Sequence, residues 1–437
     1  METNLLLSDA LSNFVGNNIF VMFEPEVLDF TDTKIPTMFI HGQDGQLIQI
    51  LLKDELLPKL IPMLKLSLFV QAHKVIAWNW KNFISFVLAK TGKLCPIEAA
   101  LIDLKVIESL TGRRLKCPKT FSESVNRVKD LVQNGLWKQV EPVYKSVQMP
   151  LITTVIPHLE NTGINSPNEQ KRVYAYYEID GQENGRLKCS QFYKDGYVPH
   201  AMKPEFRESL RTRSDSEFFM VFDFRGMEVF MLAHLSKDPL LLELCKANDI
   251  YSDLYEKIIE MPAKEKKDRE LAKKMFLPVI YGQSAYALSQ RCGLSIETSE
   301  LAIQKIYSLF PTALIFIESY QKHLAEHGYV KDIFNRRRSN FPEGKEYAVR
   351  NFAIQSPAAI VCLEKLNHLY FALKNKTDIA YTIHDGYVVY ATKDNLKTIK
   401  KICFDVLSGE SDMCPGLRLR VTCRAGRNLE NMKSLAS

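Results

Sequence analysis

Two periods of apolar residues alternate along this chain. Short apolar runs of strand length come first, at Ile19–Phe23, Thr37–Ile40 and Leu47–Leu51, with a turn-forming His41-Gly-Gln-Asp-Gly segment between the last two. The spacing predicts a helix over Lys53–Leu66, a strand over Lys74–Trp78 and a helix over Ile97–Leu110. Gly135 and Pro142 punctuate the next stretch. A helix is then predicted over Val143–Leu159, interrupted at Pro150 and closed by Asn161-Thr-Gly163. Val173–Tyr177 is strand-like, and turns are predicted at Asp180-Gly181 and Asn184-Gly185. No internal repeat or low-complexity tract interrupts the pattern.

Three later stretches combine pattern with chemistry. In the first, the apolar run Phe218–Phe222 has the length of a buried strand and delivers Asp223 to its end. Arg225-Gly226 breaks the strand, and from Met227 the apolar positions Met227, Phe230, Met231 and Leu235 recur at helical spacing. A carboxylate at a strand end suits a hard divalent cation, and equally suits a turn or a helix cap. In the second stretch Arg269, Lys273, Leu277 and Tyr281 lie four apart, on one helical face within a predicted helical region over Pro239–Phe310. Two cations followed by a ring on one stripe suit a polyphosphate followed by a base; the neighbouring lysines also fit a solvated basic face. Pro278 is expected to kink that helix. In the third, two β-rich runs flank His384-Asp385-Gly386 between Ile379 and Tyr390, a hairpin signal with Asp-Gly at the turn.

Composition narrows the class without choosing within it. The chain has 437 residues, enough for two or three sub-domains, with 46% hydrophobic and 25% charged residues. A net charge of +6 permits a nucleic-acid partner without demanding one. Nine scattered cysteines with no Cys-x-x-Cys pair argue against a disulfide scaffold or zinc ribbon and for a reducing, intracellular setting. The first residues lack a basic flank and a long apolar core, so no signal peptide is expected. The apolar neighbourhood Leu56–Trp80 is broken by Lys59, Lys65, His73 and Lys74, so no membrane span is expected. The expectation is a soluble intracellular protein of the cytoplasm or nucleoid, whether encoded by a cell, organelle, virus or plasmid.

Together the three stretches resemble motifs A, B and C of the family A DNA polymerases, the group of bacterial DNA polymerase I and its phage and organellar relatives. The first motif is Asp-Tyr-Ser-Gln-Ile-Glu-Leu-Arg-x-Leu-Ala-His-Leu-Ser. Asp223, Glu228 and Leu232–Ser236 match it, while Phe224, Arg225, Gly226 and Phe230 depart. The second is Arg-x3-Lys-x3-aromatic-Gly-x2-Tyr-Gly, matched by Arg269, Lys273, Tyr281 and Gly282, with Leu277-Pro278 in place of aromatic-Gly. The third, His-Asp-Glu, is matched by His384-Asp385 with Gly386 in the Glu position. Secondary matches keep the same order: Gly185-Arg186-Leu187, Asp249-Ile250 with Tyr251 for a His, Gly328–Val330 with Arg336–Arg338, Asn351 with Gln355, and Arg424–Asn428. The resemblance covers about residue 140 to the end.

The resemblance implies an α/β (α+β) right-hand polymerase with a palm (171–236 and 355–437), fingers (237–354), a thumb remnant or linker (141–170) and an N-terminal RNase H-like, exonuclease-like domain (1–140). It implies two Mg²⁺ ions on Asp223 and Asp385. It further implies a nucleotide site of Glu228, Arg269, Lys273, Leu277 and Tyr281, and DNA contacts from Arg186, Asn351, Gln355 and His384. DNA primer-template and dNTPs would be its partners, with a processivity or replication accessory protein, and no membrane. Two departures qualify the picture. Only Asn165–Arg172 separates the thumb-entry segment from Val173–Tyr177, too short for a helical thumb. In the N-terminal domain Glu24-Pro-Glu26 can mimic the nuclease Asp-x-Glu, but Asn79 of an Asn-x3-Asp motif is followed by Phe83, and no Tyr-x3-Asp precedes Val143. Two missing ligands leave no two-metal nuclease. Two other readings stand beside a DNA polymerase without proofreading: a single-subunit RNA polymerase, towards which Leu277-Pro278 leans, and a non-catalytic primer-template-binding remnant.

Overall fold

The structure is a computed structural model that describes residues 19–24, 28, 35–42, 47–55, 57–58, 62, 75–94, 101–166, 172–179, 181–191, 197–342 and 347–435. The chain divides into two compact units. One comprises Met1–Asp223, Leu363–Val406 and Cys423–Ser437; the other comprises Phe224–Cys362 and Leu407–Thr422.

The first unit carries two five-stranded sheets. The N-terminal sheet is built from β1 (Ile19–Glu24), β2 (Thr37–Gly42), β3 (Leu47–Leu51), β4 (Val75–Ala77) and β5 (Leu101–Asp103), in the order β3-β2-β1-β4-β5. β1, β2 and β3 pair antiparallel, whereas β4 runs parallel to β1 and β5 parallel to β4. This is the order and direction pattern of an RNase H-like sheet. Strands covered on both faces lose alternation, and Ile19–Val21 and Val75–Ala77 are accordingly buried without a break.

Two sequence expectations change here. The helix predicted over Ile97–Leu110 begins only at Leu104, because Leu101–Asp103 pairs with β4. A short apolar run has no period that separates a strand from a helix start. The predicted break at Pro150 is absent. The helix Leu136–Val143 continues through π turns at Tyr144–Gln148 and Leu151–Val155 into the helix Ile156–Thr162, with Pro150 itself at helical angles. π turns on either side of Pro150 accommodate a residue that cannot donate. The helix predicted over Lys53–Leu66, the turn at Gln43–Gly45 and Asp180 lie wholly or largely outside the described residues. After Gly163, Ile164–Asn165 pairs antiparallel with Arg172–Val173.

The N-terminal sheet is joined to the following region through a buried polar cluster. Lys81, on the helix Trp80–Thr91, places Nζ 2.7 Å from Glu160 on the helix Ile156–Thr162. The Glu160 carboxylate also accepts from the Ser85 hydroxyl at 2.5 Å and the Tyr177 backbone N–H at 2.8 Å. The ammonium lies 4.0 Å from the centroid of the Tyr176 ring. Both charged side chains are buried, and such a pair is tolerable only with further hydrogen bonds, which here fill both Glu160 oxygens.

The second sheet contains β6 (Glu217–Phe224), β7 (Ile379–Ile383), β8 (Gly386–Thr392), β9 (Val421–Gly426) and β10 (Lys433–Leu435), in the order β7-β8-β6-β9-β10. β6 and β8 pair antiparallel from Glu217 opposite Thr392 to Asp223 opposite Gly386. Phe219, Met220 and Phe222 of β6 and Tyr387–Tyr390 of β8 form its buried body.

The second unit is mainly helical, from Met227–Ser236 to Pro311–His327, and includes the first part of the long helix Tyr347–Leu373. The helix Lys266–Ile280 runs on through Pro278. A hairpin pairs Val330–Lys331 with Arg337–Arg338. Buried Asp332 closes it by accepting from the backbone of Phe334 and Arg336, each at 2.9 Å, and from the Ser356 hydroxyl at 2.6 Å. Among the described residues no single helix is long and apolar enough to cross a membrane.

Candidate active site

In the first unit, register brings two carboxylates to one end of one sheet. Asp223 is the penultimate residue of β6 and is exposed. Directly across from it stands Gly386, the first residue of β8; facing residues in an antiparallel pair have Cα atoms about 4.5–5.5 Å apart. Asp385, half-buried, immediately precedes Gly386. The hairpin turn is His384–Asp385, since Ile383 pairs with Gly386. The sequence expectation of Asp-Gly at the turn is therefore shifted by one residue. The left-handed conformation falls on exposed His384 (φ 49°), which a two-residue hairpin loop demands of its turn residues.

Gly386 brings no side chain of its own up against Asp223. A Cβ built on it would stand 3.4 Å from Asp223 Oδ1. Two carboxylates at one end of one sheet offer oxygen donors, the kind that hard divalent cations take. Arg186 belongs to the same unit. It follows Gly185 (φ 82°), and its backbone N–H donates to Asn184 Oδ1 at 3.2 Å.

In the second unit the predicted stripe forms on the helix Lys266–Ile280. Lys273 is exposed, Arg269 and Leu277 are half-buried, and Tyr281 caps the C-terminus. The Tyr281 hydroxyl donates to the Glu228 carboxylate, and Gln355 Nε2 donates to Glu228 Oε1 at 3.3 Å. Three residues from three separate motifs therefore share one hydrogen-bonded set. Asn351 lies one turn before Gln355 on its helix, and its Oδ1 is buried without a hydrogen-bond partner among the described residues. Gly282 (φ 89°) ends the stripe; a Cβ there would meet the Arg350 guanidinium at 3.3 Å.

Arg269 is held by a residue that sequence reasoning noted only as a motif match. Its Nε lies 2.8 Å from Asp249 Oδ2, and its Nη1 lies 2.9 Å from Glu270. Burial works to raise the Asp249 pKa, but the Ser252 hydroxyl and the Arg225 and Arg269 guanidiniums outweigh it and hold the carboxyl below its usual value. Arg350 was not singled out in the sequence at all. It donates through Nε to Gln321 at 2.9 Å and through Nη1 to the Ile280 carbonyl at 3.4 Å, and no spacing rule points to it.

The N-terminal nuclease positions behave differently. Glu24 ends β1 and is exposed, while Glu26 lies outside the described residues. Asn79 is buried in a left-handed conformation (φ 59°). Phe83, in the place of a ligand, is buried, stacked on Phe23 with centroids 5.1 Å apart and tilted against Trp80 at 4.9 Å. Asp103, the nearby carboxylate, accepts from the backbone N–H groups of Asn79 and Trp80 at 3.3 and 2.8 Å, and so anchors the helix start.

The profile of DNA polymerase family A matches residues 110–431. The chain belongs to DNA polymerase family A. DNA polymerase I of Chloroflexus aurantiacus is 27% identical over 233 residues, covering 50% of this chain and 24% of that one. DNA polymerase I of Borreliella burgdorferi is 25% identical over 341 residues, covering 75% and 35% respectively. The thermostable DNA polymerase I of Thermus aquaticus is 26% identical over 212 residues, covering 46% and 26%. The chain thus spans about a quarter to a third of the length of these relatives. A solved structure described as the POL domain of Pol1 from M. smegmatis, in complex with DNA primer-template and dNTP, is similar in fold. Its TM-score is 0.74 at 14% identity, over 99% of this chain and 98% of that one. The family A fold expected from the motifs is therefore the fold of this chain.

Proposed function

We propose that this chain is a template-directed DNA polymerase that adds dNTPs to a primer 3′-hydroxyl. The observation that carries the reading is the pairing of β6 with β8, which puts Asp223 opposite Gly386, the residue after Asp385, at one sheet end. Two Mg²⁺ ions held by these carboxylates would lower the pKa of the attacking hydroxyl and neutralise the triphosphate and its leaving group. Arg269 and Lys273 bind the triphosphate as fork and point charge. Leu277 and Tyr281 line the nucleotide's sugar and base side. Glu228, bonded to Tyr281 and Gln355, closes the pocket floor where a 2′-hydroxyl would sit. Arg186, Asn351, Gln355 and His384 contact the DNA, in the minor groove for Arg186 and Gln355, where acceptors are similar for all base pairs.

The enzyme does not proofread, because Phe83 fills a ligand position with a packed ring. Its grip on duplex is weak, because the paired segments Ile164–Asn165 and Arg172–Val173 leave too little chain between them for the thumb that the family's motif order calls for. A processivity protein is the natural complement to that loss. Primer extension with dNTPs, with NTPs, and with dNTPs plus chelator tests the assignment. Extension with dNTPs alone, abolished by chelator and reduced by orders of magnitude in Asp223→Asn or Asp385→Asn at unchanged primer-template affinity, is expected. Near-normal extension by Asp385→Asn would overturn the metal assignment, and a preference for NTPs would move the chain to RNA synthesis.

A further inference from the structure

Arg225 departs from the family motif, which carries Ser at this position, and its surroundings are built rather than incidental. Its Nη2 lies 2.8 Å from Asp249 Oδ1. The other oxygen of the same carboxylate takes Arg269 Nε at 2.8 Å and the Ser252 hydroxyl at 3.0 Å. One carboxylate thus holds two guanidiniums, one on each of its oxygens. The Tyr251 N–H also reaches Oδ1, at 3.4 Å, fixing Asp249 as the cap of the helix Ile250–Ile259.

The backbone on either side is equally fixed. The Arg225 N–H donates to the Arg420 carbonyl at 2.8 Å. The Arg420 guanidinium in turn binds the carbonyls of Asn248, Cys245 and Lys246 at 2.9, 3.2 and 2.8 Å, the loop that leads into Asp249. Gly226 (φ 71°) takes the left-handed turn, which favours glycine, beside Tyr251 and Ile250. The Arg269 guanidinium lies 5.3 Å from the Tyr251 ring centroid.

A guanidinium has five donors. Asp249 occupies one edge of Arg225, and the rest of its fork has no partner among the described residues; the side chain is 32% exposed. Arg269 gives Nε to Asp249 and Nη1 to Glu270, leaving Nη2 over. Two forks with spare donors, tied to one carboxylate and including the first residue of the proposed triphosphate stripe, suit successive phosphoryl groups of a polyphosphate.

We infer that Arg225 is a second polyphosphate-binding arginine of this chain, with Asp249 as the positioning residue that aligns it with Arg269. The inference deepens the polymerase reading and rests on it. The test measures dNTP KM and kcat, inhibition by inorganic tripolyphosphate and primer-template affinity for the wild type and Arg225→Gln. Loss of the fork should raise the dNTP KM tenfold or more and weaken tripolyphosphate inhibition by a similar factor. It should lower kcat less and leave DNA affinity within twofold. A folded Arg225→Gln with both constants within twofold of wild type overturns the inference. Should that variant melt early, Arg225→Lys, which keeps a cation opposite Asp249, decides instead: a rise of threefold or more in both constants supports the assignment, and no rise overturns it. A wild type that fails to extend a primer defeats the polymerase reading itself, whereas a wild type that extends beside an unaffected Arg225 variant defeats only the role of Arg225.

Discussion

At the scale of single residues, the proposed choice of sugar rests on Glu228. Its carboxylate is occupied by the Tyr281 hydroxyl and Gln355 Nε2, so a ribonucleotide would have to displace a satisfied hydrogen-bonded set to fit its 2′-hydroxyl. Glu228→Ala is expected to lower the ratio of specificity constants for dNTP over NTP at least tenfold, with dNTP use falling less. An unchanged ratio removes Glu228 as the gate. A second residue sets a pH dependence. Burial pushes the Glu108 carboxyl up to about 7, against the opposing pull of Arg127 and Arg113. An acid whose folded-state pKa is raised holds in the native state a proton that the unfolded chain has released. Its contribution to stability is therefore complete below about pH 4.5 and is lost as pH rises through about 7. Thermal melts of Glu108→Gln should show a flatter stability profile than wild type across that window, and parallel profiles would refute the assignment.

At the scale of elements, the Trp80–Thr91 helix is the link between the N-terminal sheet and the helix Ile156–Thr162. Truncating one partner of a buried, fully bonded ion pair strands the other, at a cost of about 3–5 kcal/mol. Glu160→Ala should destabilise by about that much, because Lys81, Ser85 and the Tyr177 N–H all lose their acceptor. Replacing both charges, Lys81→Met with Glu160→Leu, should recover much of the loss. Chemical denaturation of the two variants checks the order, and a double variant as weak as the single one would show that the cluster does more than pair charges. The same helix carries the position proposed to lack a nuclease ligand. Its Phe83 packs on Phe23 and Trp80, so the position now serves the core.

At the scale of the whole molecule, the proposed enzyme is a polymerase that neither edits nor holds its substrate for long. Incubation of a mismatched primer with Mg²⁺ and no dNTP should leave the primer intact. Extension under a DNA trap should end within a few nucleotides per binding event, because a net charge of +6 offers little phosphate grip at physiological salt. Shortening of the primer that disappears on Glu24→Ala would restore a nuclease to the N-terminal sheet. Hundreds of nucleotides added per event would overturn the proposed weak grip on duplex.

The sequence alone determined whatever depends on neighbours along the chain. The strand-to-helix switch around Asp223, the one-face stripe from Arg269 to Tyr281 and the hairpin around Asp385 all follow from local period and turn chemistry, and each is present. The order of those motifs was enough for the family. Only the tertiary structure decided partners far apart in sequence. The register that sets Asp223 opposite Gly386 joins strands separated by most of the second unit. The Glu228–Tyr281–Gln355 set and the Arg225–Asp249–Arg269 set each join side chains from separate helices or turns. The strand at Leu101–Asp103 and the unbroken helix through Pro150 were likewise decided by what packs and pairs there, not by their own residues. Periodicity states which face of an element is apolar; which element covers that face, and in what register, is set by packing and pairing between distant segments, and a local pattern carries no record of it.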